Sequence, residues 1–252
     1  MRLIKFILCT TLTLTLTLSA ATRNDVLVLE AAEALQKNTQ SIAREYLLSD
    51  RYGDNQAYKK ALDQMLNALS ENIQKISINT DDAKTKGLLS YFATKKAEIM
   101  EMLNSKAGSQ NSSEIVAISE IFAEGSKSIT KQHAYVFSKE EKMQMLGIKM
   151  QTELNEILKY HLAIEVNSKD TSYKKKLTQA TVAFSRDMKK LSVYPYPKSM
   201  SAVLKNLEDS WRTFKQTIET KHKVKVPALL SIAGKSMQEK LSALSIYHAK
   251  KQ

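Results

Sequence analysis

The chain has one cysteine, three prolines and six glycines in 252 residues, and these scarcities exclude most architectures before any motif is sought. A single cysteine, Cys9, supports no intrachain disulfide, no cysteine-rich zinc site and no covalent haem attachment. Turn-dense β architectures need Gly and Pro at their corners. The chain is rich instead in Ala, Leu, Lys, Glu, Gln and Met, all good helix formers. Beyond the N-terminal stretch, no segment approaches the roughly 18 continuous apolar residues of a membrane helix. There is no Gly-x-Ser-x-Gly, no His-Glu-x-x-His and no phosphate-cradling glycine-rich loop. The expectation is an all-α protein that is not an enzyme and uses no cofactor.

Met1-Arg2-Leu3-Ile4-Lys5 is a short basic head, Phe6 to Leu18 is apolar but diluted by threonines, and Ser19-Ala20-Ala21 supplies small residues. Residues 1–21 therefore read as a secretory signal peptide cleaved after Ala21 or Ala20. Cys9 would leave with it, and export without disulfides suits a bacterial periplasm. The formal charge is +12, and loss of Arg2 and Lys5 leaves 36 basic against 26 acidic side chains, or +10. In an exported protein this favours anionic surfaces or small anions over nucleic acid, or serves plain solubility.

What the chain does have is a copy of itself. A shift of 115 places lays Tyr58, Lys59, Lys60 and Leu62 on Tyr173, Lys174, Lys175 and Leu177. It also lays Gln64, Ala68, Ser70, Lys75 and Ser77 on Gln179, Ala183, Ser185, Lys190 and Ser192, nine identities in the 21-residue window from Ala57 to Ser77. The repeat divides the mature chain into residues 22–138 and 139–252.

Each half holds four amphipathic stretches. In the first half the inward stripes are Val28, Ala32, Leu35, Thr39, Ile42 and Tyr46; then Leu62, Met65, Leu69, Ile73 and Ile76; then Leu88, Phe92, Ile99 and Leu103; then Ile115, Ile118, Phe122, Ile129 and Val136. Ser112 or Ser113 is the expected cap of the fourth helix. In the second half the stripes include Leu177, Phe184, Met188 and Leu191, then Val203, Leu207, Trp211, Phe214 and Ile218. The pattern is two tandem up-down-up-down four-helix bundles. No helix breaker separates Phe137 from Met143, so the fourth helix either runs on into the fifth as one long helix or kinks there.

One motif recurs on the first and last helices of the second half. Gly147, Met150, Gln151, Leu154, Tyr160 and His161 match Gly234, Met237, Gln238, Leu241, Tyr247 and His248 at identical spacing. A weaker version spans Gln40 to Leu48 and includes Arg44. This pattern resembles the signature helix of the sensor domains of type IV pilus chemotaxis transducers (PilJ-like) and nitrate/nitrite sensor kinases (NarX-like). The resemblance implies a four-helix bundle that binds a small, anionic ligand between two copies of its first helix. Those copies would come from a homodimer or from the two repeats. The residues it singles out here are Gln40, Arg44, Lys149, Met150, Gln151 and Gln238. The leading expectation is a periplasmic binding or sensing module without its own transmitter. The alternative is an envelope interaction protein that has no small ligand and docks through basic helices onto a membrane receptor, a pilus component or an anionic surface.

On the residues alone, Arg44, Lys149 and Gln151 can present donors to a small anion. Equally, Met150, Leu154, Met237 and Leu241 can be core, the lysines can reach out to water, and the glycines can serve only close packing. Glu219-x-x-His222 is the one Glu-x-x-His pattern, short of what a di-iron bundle needs, so no metal site is expected. His161 and His248 sit at equivalent motif positions and could meet in a bundle. His133 belongs to no pattern.

Overall fold

The computed structural model describes residues 23–53, 56–104, 109–133, 135–220 and 227–252. The expected signal peptide over residues 1–21 lies outside the described residues. Eight α-helices are described: α1 (Arg23–Tyr52), α2 (Gln56–Asn79), α3 (Ala83–Asn104), α4 (Ser109–Gln132), α5 (Lys139–Val166), α6 (Thr171–Ser192), α7 (Lys198–Thr220) and α8 (Pro227–Ala249). No strand occurs among the described residues, and the fold is all-α. Shifted by 115 residues, every boundary of α1–α4 falls within three residues of its counterpart in α5–α8.

The breaks follow from local chemistry. Gly53 ends α1 at φ +88°, in the left-handed region glycine occupies freely. The Asp82 carboxylate accepts from the Thr85 N–H at 2.6 Å at the start of α3, and Asp170 accepts from the Ser172 N–H at 2.8 Å at the start of α6. Two expectations fail. α4 starts at Ser109, a turn before Ser112 and Ser113, and Ser112 is buried and donates to Asp50 at 2.5 Å. At the repeat junction, open in sequence between one long helix and a kink, the helix breaks. Residues 135–138 are non-helical, and Val136, expected inward, is 89% exposed. Ser138 restarts the chain through a capping box: Glu141 N–H donates to Ser138 Oγ at 3.2 Å, and Ser138 N–H donates to the Glu141 carboxylate at 2.7 Å.

Two hydrophobic cores form. The first draws only on the first repeat, from Val28 to Ile129. The second is built from α5–α8 but also takes in Leu47, Leu48 and Val116 from the first repeat. Residues one repeat apart share environments: Ile42 and Ile157, Leu69 and Phe184, Ile76 and Leu191, and Phe92 and Leu207 are each fully buried.

Inter-helix packing makes the two first helices central. α1 packs on α2, α4 and α5, while α5 packs on α6, α8 and α1. Every residue from Thr39 to Leu48 is consequently buried, polar ones included. By contrast, α2 touches α3 sparsely, and α6 touches α7 more sparsely still.

A pair of histidines closes the bundle ends in equivalent ways. His133 Nδ1 lies 3.1 Å from Asp25, and His248 Nδ1 lies 2.7 Å from Glu140. Asp25 and Glu140, like His133 and His248, are one repeat apart. Each pair ties the last helix of a repeat to the first. His248 is fully buried, and its Nε2 meets the Tyr196 hydroxyl at 2.7 Å.

Candidate functional site at the seam between the repeats

A helix buried on all sides must carry polar residues that find partners across the contact, and α1 and α5 do so where they cross. Arg44 Nη1 donates to Asn155 Oδ1 at 2.6 Å, and Asn155 Nδ2 donates to Ser41 Oγ at 2.8 Å. Gln238, on α8, donates to the same Asn155 oxygen. Arg44 also grips Glu45 through Nε, at 3.0 Å, and through Nη2. On the other side of the crossing, Gln40 Nε2 donates to the Ser119 carbonyl at 3.2 Å, and Lys159 Nζ donates to Ser119 Oγ at 3.0 Å. Arg44 and Lys159 are one repeat apart, as are Gln40 and Asn155. The crossing thus takes a cation and an amide from each repeat, though their partners differ.

Lys159 is wholly buried. Its ammonium is ion-paired with Glu120 and stands 4.1 Å from the centre of the Tyr160 ring. Burial pulls its pKa down, against the pull of Glu120. Glu120 also accepts from the Tyr160 hydroxyl and has Lys176 at 3.3 Å. Burial pushes the Glu120 carboxyl up, but these donors outweigh it and hold it below the usual range.

Beside this crossing lies an open cavity of about 450 Å³ formed by α1, α4, α5 and α6. Its walls carry Glu33 and Gln36 from α1, Glu120 and Lys127 from α4, Lys149, Glu153 and Glu156 from α5, and Lys176 and Arg186 from α6. Lys149 pairs with Asp187 and, at 3.1 Å, with Glu153. Burial would lower the Lys149 pKa, but these two carboxylates outweigh it and raise it. Asp187, its carboxylate fully enclosed, also receives Lys190 at 2.8 Å and Arg186 at 3.2 Å, and together the three cations overcome its burial and hold it well below the usual carboxylate range.

Three carboxyls in the cavity wall are pushed the other way, each chiefly by burial: Glu33, Glu156 and Glu153, the last up to about 7. Glu156 has one weak donor, Gln36 Nε2 at 3.5 Å. Glu153 is 5% exposed, and its Oε2 is buried with no hydrogen-bond partner.

Linkage gives the Glu153 shift a measurable consequence. A carboxyl whose pKa is higher folded than unfolded binds its proton more tightly in the native state, so its contribution is complete below about 4.5 and is lost as pH rises through about 7. At one pKa unit per 1.36 kcal/mol, the loss is about 3 kcal/mol. The melting temperature is expected to fall between pH 5 and pH 8 in the native protein and to fall less in Glu153→Gln. Equal slopes in both proteins would contradict this assignment.

Of the residues singled out from sequence, Gln40, Arg44 and Gln238 come together at the seam. Lys149 lines the adjoining cavity. Met150 is fully buried in the second core and is a packing residue, and Gln151 is partly buried. Gly147 and Gly234 are where α5 and α8 approach each other: a methyl group on Gly147 would collide with Ser245, and one on Gly234 would stand 2.7 Å from Leu158 Cδ1. His161 and His248 do not meet. His161 lies 3.6 Å from Glu165 in the last turn of α5, whereas His248 sits with Glu140 in its first. No group of three metal-binding side chains occurs among the described residues, and His222 lies outside them. Sequence reasoning missed Lys159, Glu120, Asn155, Asp187 and the paired histidines. The shift of 115 would have found Lys159 as the counterpart of Arg44.

Comparison with protein-family models, curated proteins and solved structures finds no match.

Proposed function

We propose that the protein is a binding or sensing module, exported to the periplasm by its first 21 residues, that takes a small molecule in the cavity between the first helices of its two repeats. The reading rests on the approximately 450 Å³ cavity, which is within the usual range for small-molecule sites and joins four helices from both repeats. A ligand there touches both repeats at once, the arrangement that a PilJ-like or NarX-like sensor implies for two copies of its first helix.

The ionic inventory favours a ligand with a cationic group over a simple anion. Arg44 and Lys149, the cations expected to take an anion, are already held by Glu45 and by Asp187 with Glu153. Glu33, Glu156 and the free oxygen of Glu153 remain under-compensated. An ammonium or guanidinium group brought to them relieves their desolvation. Lys127, exposed at the rim, suits a carboxylate on the same ligand.

Thermal unfolding with putrescine, arginine, glutamate, nitrate and phosphate tests this reading. Because a ligand that binds only the folded state stabilises it by about 2.7 kcal/mol at a hundred times its Kd, putrescine or arginine is expected to raise the melting temperature. The shift is expected to shrink in Glu156→Gln. A shift with nitrate or phosphate alone would keep the site and reverse its charge preference. No shift with any of them would remove the binding reading.

A further inference from the structure

A second concavity, of about 540 Å³, runs between α6 and α7, away from the seam. Its floor is apolar, with Leu177 and Ile218 buried and Val182 62% exposed. Its edges are basic: Lys174, Arg186 and Lys189 on α6, and Lys215 on α7. Lys174 and Lys189 have no acidic partner among the described residues. Glu219 is the one acid in the lining, 3.6 Å from Lys215. From Lys174 to Lys189 the edge extends about 22 Å at 1.5 Å per residue, four turns of helix.

The duplication supplies an internal control. One repeat earlier, Arg186, Lys189 and Lys215 become Glu71, Gln74 and Met100, Thr178 becomes Asp63, and Val182 becomes Asn67. In the first repeat Lys96 of α3 also donates across to Ser70 of α2. Its counterpart, Trp211, instead turns inward onto Phe184, ring centres 4.3 Å apart, and the α6–α7 side-chain hydrogen bond, from Ser192 to Glu208, lies at the far end of α6, beyond the groove lining. The same fold therefore exists without the basic apolar groove, so the groove is not a requirement of the architecture.

The geometry points to the α6–α7 groove as a docking site for an acidic amphipathic helix of a partner protein. Charge complementarity selects this occupant. A single-headed amphiphile satisfies one cation, whereas the groove distributes cations along four turns and on both edges. A helix with an apolar stripe and flanking Glu or Asp matches floor and edges together. Arg186 lines both concavities, so the groove is tested through Lys174, Lys189 and Val182, which line it and not the seam cavity.

The test uses residues 22–252 and three probes: a labelled 18-residue helical peptide with Leu at i, i+3, i+4 and i+7 and Glu on the flanks, the same peptide with Lys for Glu, and phosphatidylglycerol vesicles. Fluorescence anisotropy is expected to show binding of the Glu peptide and not of the Lys peptide, with affinity falling as salt screens the charges. Lys174→Glu/Lys189→Glu and, separately, Val182→Glu are expected to weaken binding by about tenfold or more. Lys59→Glu, in the first repeat, should leave it unchanged. Helicity and Trp211 fluorescence verify that each variant is folded. Equal binding of both peptides, no binding of the Glu peptide, indifference to the groove substitutions, or binding of vesicles in place of the peptide would each overturn the inference.

Discussion

Replacing Glu120 by Leu is expected to destabilise the protein by about 3–5 kcal/mol, the cost of stranding a buried charge. Lys159 is fully enclosed, and Glu120 is its ionic partner. Without that carboxylate, the ammonium keeps Ser119 Oγ at 3.0 Å and the face of the Tyr160 ring but no counter-ion in contact, and the Tyr160 hydroxyl loses its acceptor. The double variant Glu120→Leu/Lys159→Met is expected to recover most of the loss, because removing both members of a buried pair is often close to neutral. Urea unfolding followed by Trp211, the one tryptophan, measures both by linear extrapolation. A single variant within 1 kcal/mol of the native protein, or a double variant no better than the single, would show that Lys159 is not held as described.

The second large effect concerns the repeats taken separately. Residues 139–252 alone are expected to lack a cooperative unfolding transition, whereas residues 22–138 alone are expected to retain one. The first core contains only its own residues. The second loses Leu47, Leu48 and Val116, each buried in the whole protein. At roughly 1.5–3 kcal/mol per buried aliphatic side chain, that loss is comparable to the whole stability of a small domain. Separation also exposes Asn155 and Lys159 of α5 without their partners on α1 and α4. Calorimetry of the two fragments decides the matter. A sharp transition in the second fragment, or none in the first, would reverse the asymmetry.

Much of the fold was legible because the chain states it twice. The identities around Tyr58 and Tyr173 set the register, and the apolar stripes at three- and four-residue spacing located the helices. The junction stayed open between one long helix and a break because neither Gly nor Pro occurs there. Ser138-x-x-Glu141 stops and restarts a helix with hydrogen bonds alone.

The site was less legible for a different reason. Polar residues on a helix read as a solvated face, but α1 and α5 are covered on several sides, so Gln40, Arg44, Asn155 and Lys159 are interior. Lys149 looked like a free cation because Asp187, its partner, is 38 residues away on another helix. The glycines of the repeated motif were legible as packing positions, and α5 and α8 use them so. His133 gave no signal by itself, and only its counterpart His248, with Asp25 and Glu140 at matching positions, reveals a paired closure.

The contact on which site and stability both depend is α1 against α5 within one chain. Ser41→Cys/Asn155→Cys, introduced into residues 22–252, places two thiols where the native side chains meet at 2.8 Å, in a polypeptide with no other cysteine. Mild oxidation of the dilute protein is expected to give a monomer closed by one internal disulfide and of altered mobility without reductant, whereas each single variant, with one thiol, forms no internal cross-link. Cross-linked dimers alone, or no cross-link, would mean that the two first helices do not pair within the chain.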